Sequence, residues 1–211
     1  ARPRRGAPAA HARAVALRGL RRAHSEQLPL HRTSGGRIAG SLFWSLNDVW
    51  PAVSWSTVDY AGRWKLGHYA ARRANAPRTV QWQRERSDSL VLVAFNDGPE
   101  LWRDSVQLEL KTPDGQVRRS VRRAFSVPAH GSVALGFGPL AAWQADPGHT
   151  YLAWEVADER TTVLWDMPVA FHRPPGPVEA LATHRGLELE AAFYEPVVEL
   201  TANVPGHFRD N

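Results

Sequence analysis

Seven short segments with strand character recur between residues 79 and 173, and they limit the fold more than any other feature of the chain. Val80-Gln81-Trp82 alternates. Residues 89–95 form an apolar run closed by Asn96-Asp97-Gly98-Pro99, whose residue types each favour a tight turn. Val106-Gln107-Leu108-Glu109-Leu110 alternates cleanly and stops at Pro113-Asp114-Gly115. Residues 117–125, 132–137, 150–156 and 161–165 complete the series. A side-chain period of two gives each segment one face for a core. Strands punctuated by turns at this spacing predict an antiparallel β-sandwich of immunoglobulin-like type, which needs about 100 residues.

Residues 40–69 read differently. They run G-S-L-F-W-S-L-N-D-V-W-P-A-V-S-W-S-T-V-D-Y-A-G-R-W-K-L-G-H-Y and hold four of the nine Trp residues: Trp44, Trp50, Trp55 and Trp64. A short apolar strand is expected over 42–46. A loop dense in aromatic and hydrogen-bonding groups follows it. A helix is expected over 64–75, ending before Pro77, which cannot continue it. Upstream, residues 1–10 have no periodicity, 12–23 have helical propensity, and 28–38 contain the loop Thr33-Ser34-Gly35-Gly36. This order matches the end of one βα repeat feeding the next, with the aromatic loop on the face where barrels bind ligands. One and a half repeats do not close a barrel, so further repeats are expected upstream. Downstream, Pro174-Pro175-Gly176-Pro177 reads as a linker. Alternation at 187–190 and a further strand at 197–202 suggest the start of a second sandwich.

Composition narrows the function classes. The chain is 43% hydrophobic and 22% charged, values of a globular protein. No run reaches the roughly 18 to 20 apolar residues of a membrane span, so no membrane partner is expected. The absence of Cys excludes a disulfide framework and thiolate metal sites; it slightly favours a cytoplasmic setting without fixing one. No targeting signal is legible. A net charge of +5 invites a nucleic-acid reading, but the Arg residues are spread along the chain. The densest group, Arg118, Arg119, Arg122 and Arg123, lies on a strand-like segment without a recognisable reading motif, so no nucleic-acid partner is expected. The His residues have no metal-ligand spacing, and no phosphate loop or G-x-S-x-G is present. Neither a metal nor a cofactor is expected.

Residues 40–69 closely resemble the end of the catalytic barrel in β-mannosidases of glycoside hydrolase family 2. Those carry G-x-L-Y-W-Q-L-N-D-x-W-P-x-x-S-W-S-x-x-D-Y-x-G-R-W-K-x-x-H-Y. The residues kept here are Gly40, Leu42, Trp44, Leu46-Asn47-Asp48, Trp50-Pro51, Ser54-Trp55-Ser56, Asp59-Tyr60, Gly62-Arg63-Trp64-Lys65 and His68-Tyr69. Phe43 replaces the usual Tyr, and Ser45 replaces the usual Gln, removing an amide. The family follows its barrel with immunoglobulin-like sandwiches. The tail from Gly206 to Asn211 is similar to a G-x-F-S-D-N element of the last one. The exo-β-glucosaminidase branch differs: it tends to carry Asn-Asn at the place of Asn47-Asp48 and lacks the Gly-Arg-Trp-Lys run.

The resemblance implies a multidomain C-terminal fragment. It would hold the last βα unit of a TIM (β/α)8 barrel over 1–76, an immunoglobulin-like antiparallel β-sandwich over 77–174, and the start of a truncated second sandwich over 175–211. It implies a retaining, exo-acting β-mannosidase that removes terminal non-reducing β-D-mannose from oligosaccharides. The alternatives are an exo-β-glucosaminidase or other family 2 glycosidase, and a non-catalytic carbohydrate-binding or structural sandwich. The partners would be a β-mannoside glycan and the missing N-terminal part of the same chain. In the family both reactive Glu residues lie on earlier barrel strands, so no catalytic residue is expected here and the fragment alone is expected to be inactive. Glu26, Glu85, Glu100 and Glu109 are expected to be structural or solvated.

The expected contribution is a wall of the sugar pocket. An indole at Trp44 is placed to stack on the C–H face of a pyranose. Asn47 and Asp48 supply the donors and acceptors that sugar hydroxyls need. Trp50 and Trp55 would line the pocket or brace the loop. Asp59 is expected to cap the turn or pair with Arg63, and His68 and Tyr69 to be buried. Trp82, Trp102, Trp143, Trp154 and Trp165 are expected in the sandwich core.

Overall fold

The computed structural model describes residues 42, 44–51, 54–83, 89–146, 149–157, 159–163, 178–183 and 186–191. The helix expected over 12–23, the linker at 174–177, the strand expected over 197–202 and the tail from Gly206 lie outside these residues. So do Glu26, Glu85 and Trp165. The chain divides into two compact units, and the described residues up to Gln83 belong to one and those from Ser89 to the other.

In the first unit, the segment expected as a strand over 42–46 forms no ladder among the described residues. Two isolated bridges lie just beyond it, Asn47 with Val58 and Val58 with Trp64. A strand ladder requires a partner strand to supply donors and acceptors, and here residues 57–58 supply them from the same loop. Val58 N donates to Leu46 O at 2.8 Å, and Asp48 N donates to Val58 O at 3.0 Å. The Trp44–Ser45 peptide bond is cis.

Helix α1 spans Leu66–Ala74. Its Ala-rich sequence favours a helix, and Tyr69, Ala70, Ala71 and Ala74 form its buried face at helical spacing. Arg72 and Arg73 in the last turn complement the negative end of the helix. The helix closes at Asn75, whose side-chain amide donates to Ala71 O at 2.8 Å. Strand β1, Arg78–Gln83, follows. Gln81 Nε2 donates to Ala74 O at 2.8 Å, satisfying one of the carbonyls the helix leaves open.

The second unit is built of antiparallel sheets. Strands β2 (Ser89–Asn96), β3 (Trp102–Lys111), β4 (Val117–Val127), β5 (Gly131–Pro139), β6 (Tyr151–Val156) and β7 (Glu159–Val163) follow in order. The larger sheet has the order β4-β3-β6-β7, and β2 pairs with β5. The turn between β3 and β4 uses Gly115 at φ +84, a conformation glycine adopts without strain. Leu90, Leu92, Val106, Leu108, Leu110, Leu135 and Leu152 are buried. Trp102, Trp143 and Trp154 are buried with them, as expected for core aromatics, and Trp82 on β1 is half-buried.

Asn96, fully buried, ties β2 to the end of β4. Its amide donates to Glu100 O at 2.7 Å and Pro128 O at 3.1 Å, and its oxygen accepts from Gly98 N at 3.1 Å. A 3-10 helix, Leu140–Trp143, places Trp143 so that its indole N–H donates to Phe137 O at 2.9 Å. The Arg cluster on β4 is absorbed locally. Arg119 lies 4.4 Å from the Trp143 ring centroid and donates to Ala142 O. Arg123 lies 5.0 Å from the Phe137 ring and donates to Gly136 O, and Arg122 donates to Ser105 Oγ at 3.0 Å.

A separate hairpin pairs β8 (Val178–Thr183) with β9 (Gly186–Ala191). Strand β9 coincides with the expected alternation at 187–190; β8 was not anticipated from the sequence. Among the described residues, no helix is long and apolar enough to cross a membrane.

Candidate functional site

The loop from Trp44 to Lys65 is held by its own backbone. Thr57 N donates to Ser45 O at 3.2 Å and Leu46 O at 3.1 Å, and the Thr57 hydroxyl donates to Leu46 O at 3.1 Å. With that hydroxyl proton committed, Thr57 Oγ1 accepts from His68 Nδ1 at 3.2 Å. Lys65 N donates to Thr57 O at 2.8 Å, which fixes the start of α1 against the loop. Trp64 stacks on His68 at 4.3 Å and meets the buried Tyr69 edge-on at 5.5 Å.

Asp59 closes the turn before α1. Its Oδ1 accepts from Ala61 N and Arg63 N, both at 2.9 Å, and its Oδ2 accepts from Arg63 Nε at 2.7 Å. Partial burial works to raise its pKa, but the hydrogen bonds and charge of Arg63 outweigh it and hold the carboxyl below the ordinary range. The expected pairing with Arg63 is therefore present. Gly62 at φ +81 completes the turn.

Asp48 points inward. Its side chain is only 6% exposed and that of Lys65 17%. Lys65 Nζ donates to Asp48 Oδ2 at 2.7 Å and to Ser56 Oγ at 2.7 Å. Ser56 Oγ lies 2.7 Å from Asp48 Oδ1, which also accepts from the Ser54 hydroxyl. Hydrogen bonds from Lys65, Ser54 and Ser56 lower the pKa of Asp48 to about 2.

The large apolar residues of the loop are exposed. Trp44 is 82% exposed, and Trp50 and Trp55 are each 67% exposed, together with Leu46, Val49 and Tyr60. Asn47 is exposed beside Trp44, and its amide donates to Asp48 O at 3.3 Å. The loop thus combines a largely buried polar clamp with exposed aromatic residues. Of the sequence-derived site residues, Trp44, Asn47, Trp50 and Trp55 are exposed, and Asp48 is held in the clamp. Sequence reasoning missed Ser54, Ser56 and Lys65 as members of the clamp. A signal was present: only Lys65 and Lys111 are Lys among 26 basic residues, and both pair with carboxylates, Lys111 with Glu109 at 2.8 Å. Among the described residues, no group of three His, Asp or Glu side chains is arranged to hold a metal ion.

Comparison with known proteins bears on this loop-and-sheet arrangement. No model of a known protein family matches the chain. A β-mannosidase of Capra hircus is 55% identical over 64 residues, covering 30% of this chain and 7% of the relative. The crystal structure of a β-D-mannosidase from Dictyoglomus thermophilum superposes with a TM-score of 0.55 at 25% identity, over 64% of this chain and 17% of that one. Over the residues they share, this chain is similar to β-mannosidases. An exo-chitosanase of Amycolatopsis orientalis gives a TM-score of 0.54 over 85% of this chain and 20% of that one, at 15% identity, which is a likeness of fold. The chain therefore spans a small part of the β-mannosidases it matches.

Proposed function

We propose that this chain supplies the C-terminal side of a retaining, exo-acting β-mannosidase that removes terminal non-reducing β-D-mannose from oligosaccharides. The observation that carries the reading is the exposure of the loop's aromatic residues, in a chain 55% identical to a β-mannosidase over 64 residues. Three exposed indoles, Trp44, Trp50 and Trp55, stand beside an exposed amide, Asn47. Apolar aromatic faces with a few fixed polar groups are what a sugar pocket requires.

In this reading residues 1–76 are the last βα unit of a (β/α)8 barrel, with the loop on its ligand-binding face. Trp44 stacks on the pyranose, Asn47 reaches its hydroxyls, and Trp50 and Trp55 extend the wall. Asp48 contributes from behind, through the backbone it holds. Residues 77–174 form the immunoglobulin-like sandwich and 175–211 begin a second one. The two reactive carboxylates, about 5 Å apart in a retaining glycosidase, come from barrel strands that precede this chain. The reading needs neither metal nor cofactor.

The test is hydrolysis of aryl β-mannoside and aryl β-glucosaminide by the complete enzyme carrying this segment, assayed side by side. The expected result is a kcat/KM at least tenfold higher for the mannoside. A preference for the glucosaminide assigns the segment to the exo-glucosaminidase branch instead.

A further inference from the structure

We propose that Lys65 is a positioning residue for sugar binding. Its ammonium gathers Asp48, Ser54 and Ser56 into one cluster and so fixes the ends of the turn that presents Trp50 and Trp55. The proposal rests on the reading of the exposed aromatic residues given above.

The geometry favours a clamp over chemistry. Lys65 Nζ has three protons. Two are taken by Asp48 Oδ2 and Ser56 Oγ, each at 2.7 Å. The third points to Ser54, whose carbonyl and hydroxyl oxygens both lie at 3.5 Å. A serine nucleophile activated by lysine needs a neutral amine. Here the Lys65 nitrogen is committed to an ion pair with the Asp48 carboxylate at 2.7 Å. Ser56 is buried at 2% exposure, so no substrate atom reaches it. Ser56 therefore acts on substrate only through the backbone it holds, and Asp48 and Lys65 are committed to the cluster.

Position along the chain explains the effect. Asp48 precedes Trp50 by two residues, and Ser54 and Ser56 flank Trp55. Lys65 stands immediately before α1 with an extended backbone, φ −84 and ψ 162, and its own N–H is bonded to Thr57 O. It is thus anchored to the helix and to the loop, and its side chain spans 17 residues of sequence to Asp48. Its acceptors come from three residues, Asp48, Ser54 and Ser56. That suits a compact ammonium with rotatable donors better than a planar guanidinium, in a chain that otherwise uses Arg almost throughout.

The experiment uses the complete enzyme with an aryl β-mannoside, with active enzyme counted by a mechanism-based inactivator. The unsubstituted enzyme is assayed first; failure to hydrolyse the mannoside overturns the functional reading and not the clamp. For Lys65→Met the expected result is a rise in KM of roughly tenfold, with kcat referred to counted active sites. Asp48→Asn should raise KM similarly, and the double substitution should be no worse than the more severe single one, because both break one cluster. Lys65→Arg should recover less than half of the lost kcat/KM. A merely structural lysine would reduce the number of active sites and leave KM unchanged, and that outcome overturns the proposal. If Lys65→Met fails to fold, Ser54→Ala decides. A threefold or greater rise in KM supports the clamp, and a KM within 1.5-fold of the parent overturns it.

Discussion

Asp48 shows how one side chain can resemble a sugar ligand in sequence and act as a tie in structure. An Asn-Asp pair after a Trp-bearing strand carries the right groups for hydroxyl recognition, and that much is legible from residue type. The partner is not. Lys65 lies 17 positions away, and nothing in local periodicity brings the two together until the loop folds back on residues 57–58. The tie has a pH signature. Hydrogen bonds from Lys65, Ser54 and Ser56 lower the folded pKa to about 2, against about 3.9 for a free Asp. Its stabilising contribution is therefore complete above about pH 4 and is lost as pH falls toward 2. Thermal melts of the parent and Asp48→Asn chains from pH 7 to pH 2 should show the variant melting lower at neutral pH. The gap should narrow between pH 4 and pH 2. A gap constant across that range would mean that the carboxylate charge contributes nothing to stability.

At the scale of elements, the strands of the second unit were the most legible part of the molecule. Val106-Gln107-Leu108-Glu109-Leu110 alternates in sequence, and its apolar positions Val106, Leu108 and Leu110 are all buried in β3. The register sets Leu108 opposite Val121 on β4 and Trp154 on β6, so it is enclosed from both neighbouring strands. Leu108→Ala is expected to cost about 2–5 kcal/mol through lost burial and the cavity left behind. Leu101→Ala, at a half-exposed site just before β3, should stay within about 0.5 kcal/mol. Equilibrium urea denaturation of the two variants checks the contrast, and equal midpoints would contradict the core assignment. Two elements were harder to read. Strand β8, Val-Glu-Ala-Leu-Ala-Thr, is rich in residues that favour helix over strand; its pairing with β9 decides its state. The segment at 42–46 has strand character, but a ladder is a property of two segments, and composition alone does not supply the second. Helix α1 was legible at its end, where Pro77 stops it. Its start lies two residues later than expected, because Arg63 and Lys65 are spent on the turn of Asp59 and on the clamp.

For the whole molecule the decisive quantity is what its carboxylates are free to do. Retaining hydrolysis needs one carboxylate to attack and a second, protonated, to donate to the leaving oxygen, about 5 Å from the first. Among the described residues, Asp48 is clamped by Lys65, Asp59 by Arg63, and Glu109 by Lys111. Asp146 pairs with His149 at 2.8 Å, and Glu100 lies exposed in a turn. Glu179 and Glu190 face each other across the β8–β9 hairpin. Both are exposed to water, without the apolar enclosure that lets one carboxyl serve as an acid. Among these described carboxylates, none forms such a pair beside the exposed indoles. The 211-residue chain, purified by itself, is expected to release no aryl alcohol from an aryl β-mannoside above the uncatalysed rate. The longer enzyme, at equal concentration, is expected to turn the same substrate over. Loss of the whole carboxylate machinery removes at least the roughly 10⁶-fold acceleration typical of enzymes, so the contrast lies far outside assay error. Measurable turnover by the short chain, proportional to its concentration and abolished by Glu179→Gln or Glu190→Gln, would place reactive carboxylates inside this sequence. It would also end the description of residues 40–69 as a wall built for chemistry supplied elsewhere.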